Sequence, residues 1–260
     1  MGQSFFPRKP KPRSPTAFWL SDYMRKKLVV LLLFAAAISF YVGYTATPSQ
    51  QKNANSLSFS NSVKIPLIAV STEGEGVLAE MEVLASDGSG KFFIGGASNP
   101  LVNSDTQSSL RTAFNLARNY SDKQNVDVYY SFSTDSEAVG GRSASAAATV
   151  ATIAAVQGKK LDPSKVLTGT IEEDASIGPV GKILEKAKAI KKDGRFTTFL
   201  VPRGESRQSV LVEECTEKQS QNSVFRQCVT KAKIVEISSE TGVQIIEVSN
   251  LSQALELMTS

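Results

Sequence analysis

Hydrophobic spacing changes character several times along the chain, and each change marks an element. From Leu28 to Ala46 no charge interrupts the apolar run, whereas residues 47–63 are polar and rich in serine, asparagine and glutamine. Short runs at 65–71, 76–84 and 91–95, separated by glycine and Asp-Gly turns, predict strands. Leu110, Ala113, Phe114 and Ala117 recur at helical spacing and predict an amphipathic helix over 106–120. Alternation over 126–132 predicts a strand. A run of alanine, threonine and valine from Ser143 to Gly158 predicts a helix built almost wholly of small residues, and such a helix packs closely on all sides. Further strands are expected at 165–171, 197–201 and 243–248, with helices at 181–193 and 251–258. An opening meander followed by strands alternating with helices is the pattern of an α/β or α+β fold.

At about 1.5 Å per residue, the uncharged run is just long enough to cross a hydrocarbon core of ~30 Å. Arg8, Lys9, Lys11, Arg13, Arg25, Lys26 and Lys27 precede it, against the single acid Asp22. The positive-inside rule then places the N-terminus in the cytoplasm. The predicted organisation is a basic cytoplasmic tail (1–27), a transmembrane anchor (28–46), a linker (47–63) and a folded domain (64–260) outside the cell membrane. A cleaved signal peptide is the competing reading; the length of the run and the lack of an A-x-A site argue against it.

Composition narrows the chemistry. The 260 residues include no histidine and only two cysteines, which removes Ser-His-Asp and Cys-His catalysis and any histidine-based or Cys₄ metal site. The formal net charge of +4 comes from the tail, and beyond it acids and bases nearly balance, so no nucleic-acid partner is expected. Ser86-Asp87-Gly88-Ser89-Gly90-Lys91 superficially suggests a phosphate loop. It lacks the upstream glycine and the hydroxyl residue after the lysine, and reads as a hairpin turn. No nucleotide, cofactor or metal is therefore expected.

Candidate chemistry centres on Gly140-Gly141-Arg142-Ser143-Ala144-Ser145, where two glycines and a serine lead into the small-residue helix. A serine here can be an N-cap or a nucleophile. In helix 181–193, Ile183, Ala187 and Ile190 form the apolar stripe, and Lys186 borders it while Lys188 and Lys192 point away. Lys186 either snorkels its amine into water or holds it desolvated, with a lowered pKa and a free lone pair. Periodicity does not choose between these.

From Gly141 to Pro202 the chain resembles the proteolytic domain of Lon-type Ser-Lys peptidases, after the archaeal membrane-associated members that lack an ATPase module. The resemblance rests on GRSAS at 141–145, Gly158, Thr168-Gly169, the turn ending Pro179-Val180-Gly181, Glu185-Lys186 and Pro202. The spacing from Ser143 to Lys186 fits the family register without a gap. It implies the Lon proteolytic-domain fold of mixed sheets with packed helices, Ser143 as nucleophile, Lys186 as general base, and Thr168 as the hydroxyl orienting that lysine. Arg142 departs from the family, which has proline there in bacteria and an acid in the archaeal branch. Gly140 replaces a bacterial aspartate, and Ser145 follows the archaeal pattern.

The expected function is a membrane-anchored, ATP-independent serine endopeptidase cleaving unfolded or flexible extracytoplasmic polypeptides, with the membrane and a homo-oligomer as further partners. The alternative is a catalytically silent Lon-like domain acting as a membrane-tethered assembly module. Outside a reducing cytoplasm, Cys215 and Cys228 are expected to form a disulfide.

Overall fold

The computed structural model describes residues 24–31, 33, 59–96, 100–135, 138–220 and 223–259. They fall into two units, 1–56 and 57–260. In the first, residues 24–31 and 33 are helical, with Leu28, Leu31 and Leu33 exposed. Among the described residues, no helix is long and apolar enough to cross a membrane. The expected transmembrane helix is corrected on that ground, and so are the readings built on it: a membrane-anchored endopeptidase of extracytoplasmic polypeptides, a membrane-tethered module, the membrane as partner and the cell-membrane localisation. No observation on the described residues supports the expected homo-oligomer. Residues 32 and 34–46 of the apolar run, 1–23 of the tail and 47–58 of the linker lie outside the described residues.

The second unit opens with β1 (Asn61–Val70), β2 (Gly76–Asp87), β3 (Phe92–Gly95), β4 (Leu101–Val102), α1 (Ser104–Tyr120) and β5 (Val126–Ser133). Four of these strands form a sheet in the order β1-β2-β5-β3, antiparallel except for the β5–β3 pair. Alternation supplies its inner face: Val63, Ile65 and Leu67, then Met81, Val83 and Ala85, then Val126, Val128, Tyr130 and Phe132 are all buried in one cluster. The turn at 88–90 is not a hairpin, because β5 lies between β2 and β3. The Asp127 carboxylate accepts from the Ser89 and Lys91 N–H groups, both at 2.8 Å, and leads the chain past the end of β5.

β6 (Ala138–Val139) pairs with β4 and precedes α2 (Ser145–Gln157). Every residue of α2 from Ser145 to Val156 is buried, which only a run of small side chains permits between a sheet and other helices. Gly158 ends it at φ 67°, the left-handed cap.

β7 (Lys165–Leu167), β8 (Thr170–Ile171), β9 (Ile177–Gly178), α3 (Ile183–Asp193) and β10 (Thr198–Pro202) follow. The single strand expected over 165–171 is thus two, broken at Thr168 and Gly169. Later come β11 (Arg207–Ser220), β12 (Ser223–Glu236), α4 (Ile237–Thr241), β13 (Gln244–Val248) and α5 (Leu251–Met258). A parallel sheet in the order β13-β10-β7 carries α3 through a second apolar cluster that includes Ile183, Leu184, Ala187, Ile190, Phe199 and Val201. β11 and β12 form a long antiparallel ribbon that the sequence pattern did not announce. Leu211 and Ile234 on it are 77% and 72% exposed, while Val235 at its root is buried. Cys215 and Cys228 oppose each other across the ribbon and are joined by a disulfide.

Candidate functional site

The serine turn, the break between β7 and β8, and helix α3 meet at one place. Neither serine caps α2. The N-cap residue is Ala144, which makes no side-chain capping bond. Ser145, only 3% exposed, instead donates from Oγ to the Arg142 carbonyl at 2.8 Å and accepts from the Ile171 N–H at 2.8 Å. Its hydroxyl is committed to holding the turn against β8. Ser143 is half-buried, and its hydroxyl makes no hydrogen bond among the described residues. It lines a cleft of about 550 Å³ together with Gly140, Gly141, Met81, Phe132, the end of β1 from Leu67 and the two residues after it, Ser71 and Thr72.

The chain around Ser143 is fixed from the other side by Gly169. The Gly169 N–H donates to the Ser143 carbonyl at 2.9 Å, and its own carbonyl accepts from the Ala146 N–H at 3.1 Å. Gly169 sits at φ 154°, and a Cβ there would lie 2.6 Å from Ile177 Cγ2. Only glycine fits this strap. Among the described residues, the Ser143 and Ala144 N–H groups are not engaged in any hydrogen bond.

Lys186 is 3% exposed on α3. Its Nζ donates to Thr168 Oγ1 at 3.2 Å, and Thr168 Oγ1 donates to the Ser143 carbonyl at 3.2 Å. The structure therefore connects Ser143, Thr168 and Lys186 in one chain of hydrogen bonds. Ser143 Oγ and Lys186 Nζ are not directly bonded. Burial lowers the Lys186 pKa to about 8, opposed by the negative charge of Glu205. That resolves the choice that periodicity left open: the amine is desolvated and does not snorkel. Arg142 is turned to Glu172, with a contact of 3.3 Å between two exposed side chains, and has no part in lowering the lysine.

Two residues near the lysine carried no sequence signal. Glu205, in the turn after β10, is itself raised in pKa by burial and by Glu247. Gln208, at the root of the ribbon, accepts from the Leu184 N–H at 3.0 Å. That bond stands in for a missing local cap, since Lys182 at the N-cap of α3 makes no side-chain bond. A Gln twenty-four residues beyond a helix start is not a capping pattern that any local rule finds.

Among the described residues, the only group of possible metal donors is Glu213, Cys215 and Cys228, and both its sulfurs are already spent in the disulfide. Glu205 and Lys186 are the ionisable groups whose charges act on each other at the site.

No protein-family model and no curated protein matches this chain, so the resemblance to Lon-type peptidases rests on residues 141–202 alone and the protease assignment gains no support from either comparison.

Proposed function

We propose that the chain carries out serine endopeptidase chemistry, with Ser143 as nucleophile and Lys186 as general base. The observation that supports this most is the buried amine of Lys186, held two hydrogen bonds from the Ser143 backbone. Thr168 spends its proton on the Ser143 carbonyl, so toward the lysine its oxygen can only accept. Once deprotonated, the amine donates one N–H there and keeps its lone pair.

In this reading a carbonyl carbon enters the cleft beside Ser143. Lys186 takes the Ser143 proton as Oγ attacks, and negative charge collects on the former carbonyl oxygen. The unengaged Ser143 and Ala144 N–H groups are available to receive it. Collapse breaks the C–N bond, and the Lys186 ammonium returns its proton to the leaving amine. Water then attacks the acyl ester, giving a proton to Lys186, and the freed Ser143 oxygen takes it back. The reading requires Lys186 Nζ and Ser143 Oγ to come within hydrogen-bond reach when substrate binds, as catalytic hydrogen bonds often tighten in the complex.

The test is hydrolysis of a reduced, unfolded protein by the full chain, followed by mass spectrometry of the products. Cleavage that Ser143→Ala abolishes supports the reading. A wild-type chain that cleaves nothing, or a Ser143→Ala variant that cleaves equally well, overturns it.

A further inference from the structure

A second concavity, of about 390 Å³, lies between α1 and the segment from Gly90 to Phe93. None of its residues lines the cleft at Ser143. Three cations border it: Lys91 from the turn, and Arg111 and Arg118 from α1. Arg111, Asn115 and Arg118 fall at i, i+4 and i+7, one face of the helix, so the two arginines leave it about 10 Å apart along its axis at their Cα atoms. Among the described residues, none of the three cations forms an ion pair.

The guanidiniums are held in place by aromatic rings instead of by carboxylates. Arg111 lies over Phe92 at 5.6 Å and Arg118 over Phe114 at 5.1 Å. Such stacking orients a guanidinium while leaving its charge and its outer N–H groups unspent. Arg118 Nε is buried and has no hydrogen-bond partner. Gly90 has φ +80°, and a Cβ there would stand 3.2 Å from Arg118 Nη2, so a glycine lets the turn approach the guanidinium. The nearby acid, Asp127, has its Oδ1 occupied by the Ser89 and Lys91 N–H groups. Phe93 stays open at the rim, 37% exposed.

We propose that this groove binds an organic phosphate of nucleotide size, with its phosphoryl groups on Lys91, Arg111 and Arg118 and its flat ring on Phe93. Guanidinium forks match phosphate oxygens in pairs, and a stripe of two forks plus an ammonium suits more than one phosphoryl group. The volume lies in the range of small-ligand pockets and exceeds what a bare phosphate fills. The turn 86–91 thus supplies a lysine to an anion site although it is not a phosphate loop. The site is independent of the hydrolytic reading.

The experiment is titration calorimetry of the full chain with ADP, and with inorganic pyrophosphate as the probe without a ring. ADP is expected to bind saturably and at least tenfold more tightly than pyrophosphate. Arg111→Gln and Lys91→Gln, both at exposed side chains, are expected to weaken ADP at least fivefold, and Arg118→Lys, which keeps the charge and loses the fork, to do the same. Lys233→Gln on the ribbon is expected to change nothing. Absence of saturable ADP binding at millimolar concentration, equal affinity for pyrophosphate, or indifference to all three groove substitutions overturns the proposal.

Discussion

Lys186 Nζ donates to Thr168 Oγ1 at 3.2 Å, which ties the buried amine to the turn that carries Ser143. Thr168 has already given its proton to the Ser143 carbonyl, so it can only receive from the amine. A buried ammonium in the same place would present three protons to one acceptor. The neutral amine is better satisfied there, in line with a pKa lowered by burial to about 8.

Substitutions at Lys186 separate a base from a mere charge. Lys186→Arg is expected to lose at least a hundredfold in kcat/KM, because guanidinium does not deprotonate near neutrality. Lys186→Met is expected to be equally inactive and folded. Lys188→Met, on the exposed face of the same helix, is expected to retain full activity. Steady-state kinetics with circular dichroism on each variant checks the pattern; an active Lys186→Arg would refute the assignment of the base.

The two serines of the turn should differ in the opposite sense. Ser143→Ala removes a hydroxyl with no partner and is expected to leave stability within ~0.5 kcal/mol. Ser145→Ala strands the Ile171 N–H, while the Arg142 carbonyl keeps the Ser145 backbone N–H, for a loss of about 1–3 kcal/mol. Urea denaturation of both variants gives the comparison, and equal stabilities would mean that Ser145 does not tie the turn to β8.

Much of this was legible in the sequence, and the reasons for the rest are physical. Helical spacing over 106–120 and the small-residue run from Ser143 marked α1 and α2, because burial imposes periodicity on an amphipathic helix and smallness on a surrounded one. Lys186 stood out by its position on the stripe, but its solvation did not, since that depends on neighbours distant in sequence. The break at Gly169 was hidden inside an apolar run that reads as one strand. The ribbon of β11 and β12 was hidden because both its faces meet solvent, so no alternation of apolar and polar positions is imposed on it. For the apolar run at 28–46 hydropathy alone suggests a span, whereas among the described residues no helix is long and apolar enough to cross a membrane. Glu205 and Gln208 were invisible because their partners lie on other elements.

The depressed lysine makes stability depend on pH with a definite sign. Between about pH 8, its folded value, and its ordinary value of 10.5, the unfolded chain binds a proton that the folded chain does not. Stability contributed by this group therefore rises with pH through that window and is lowest below it. The full effect is of the order of 3 kcal/mol for a side chain this deeply buried. Lys186→Met should remove the slope and stabilise the protein near pH 7. Thermal denaturation of both forms between pH 7 and 10 measures it; parallel curves would show that the amine is solvated.

Glu205 sets where activity begins to rise. Its charge is the one influence that raises the Lys186 pKa against burial, and it is partly withdrawn from solvent itself, with its own pKa pushed up by burial and by Glu247. Glu205→Gln keeps the shape and removes the charge. The lysine then deprotonates at lower pH, and the ascending limb of kcat/KM against pH moves to lower pH while the plateau stays where it was. Glu247→Gln acts in the reverse sense: without Glu247 the Glu205 carboxylate ionises more readily, so the limb holds its place or moves slightly upward. A merely structural role for Glu205 would lower the plateau and leave the limb fixed. The pH profiles of the two variants, recorded with the same peptide substrate, distinguish these outcomes, and an unmoved limb in Glu205→Gln would mean that burial alone tunes the lysine.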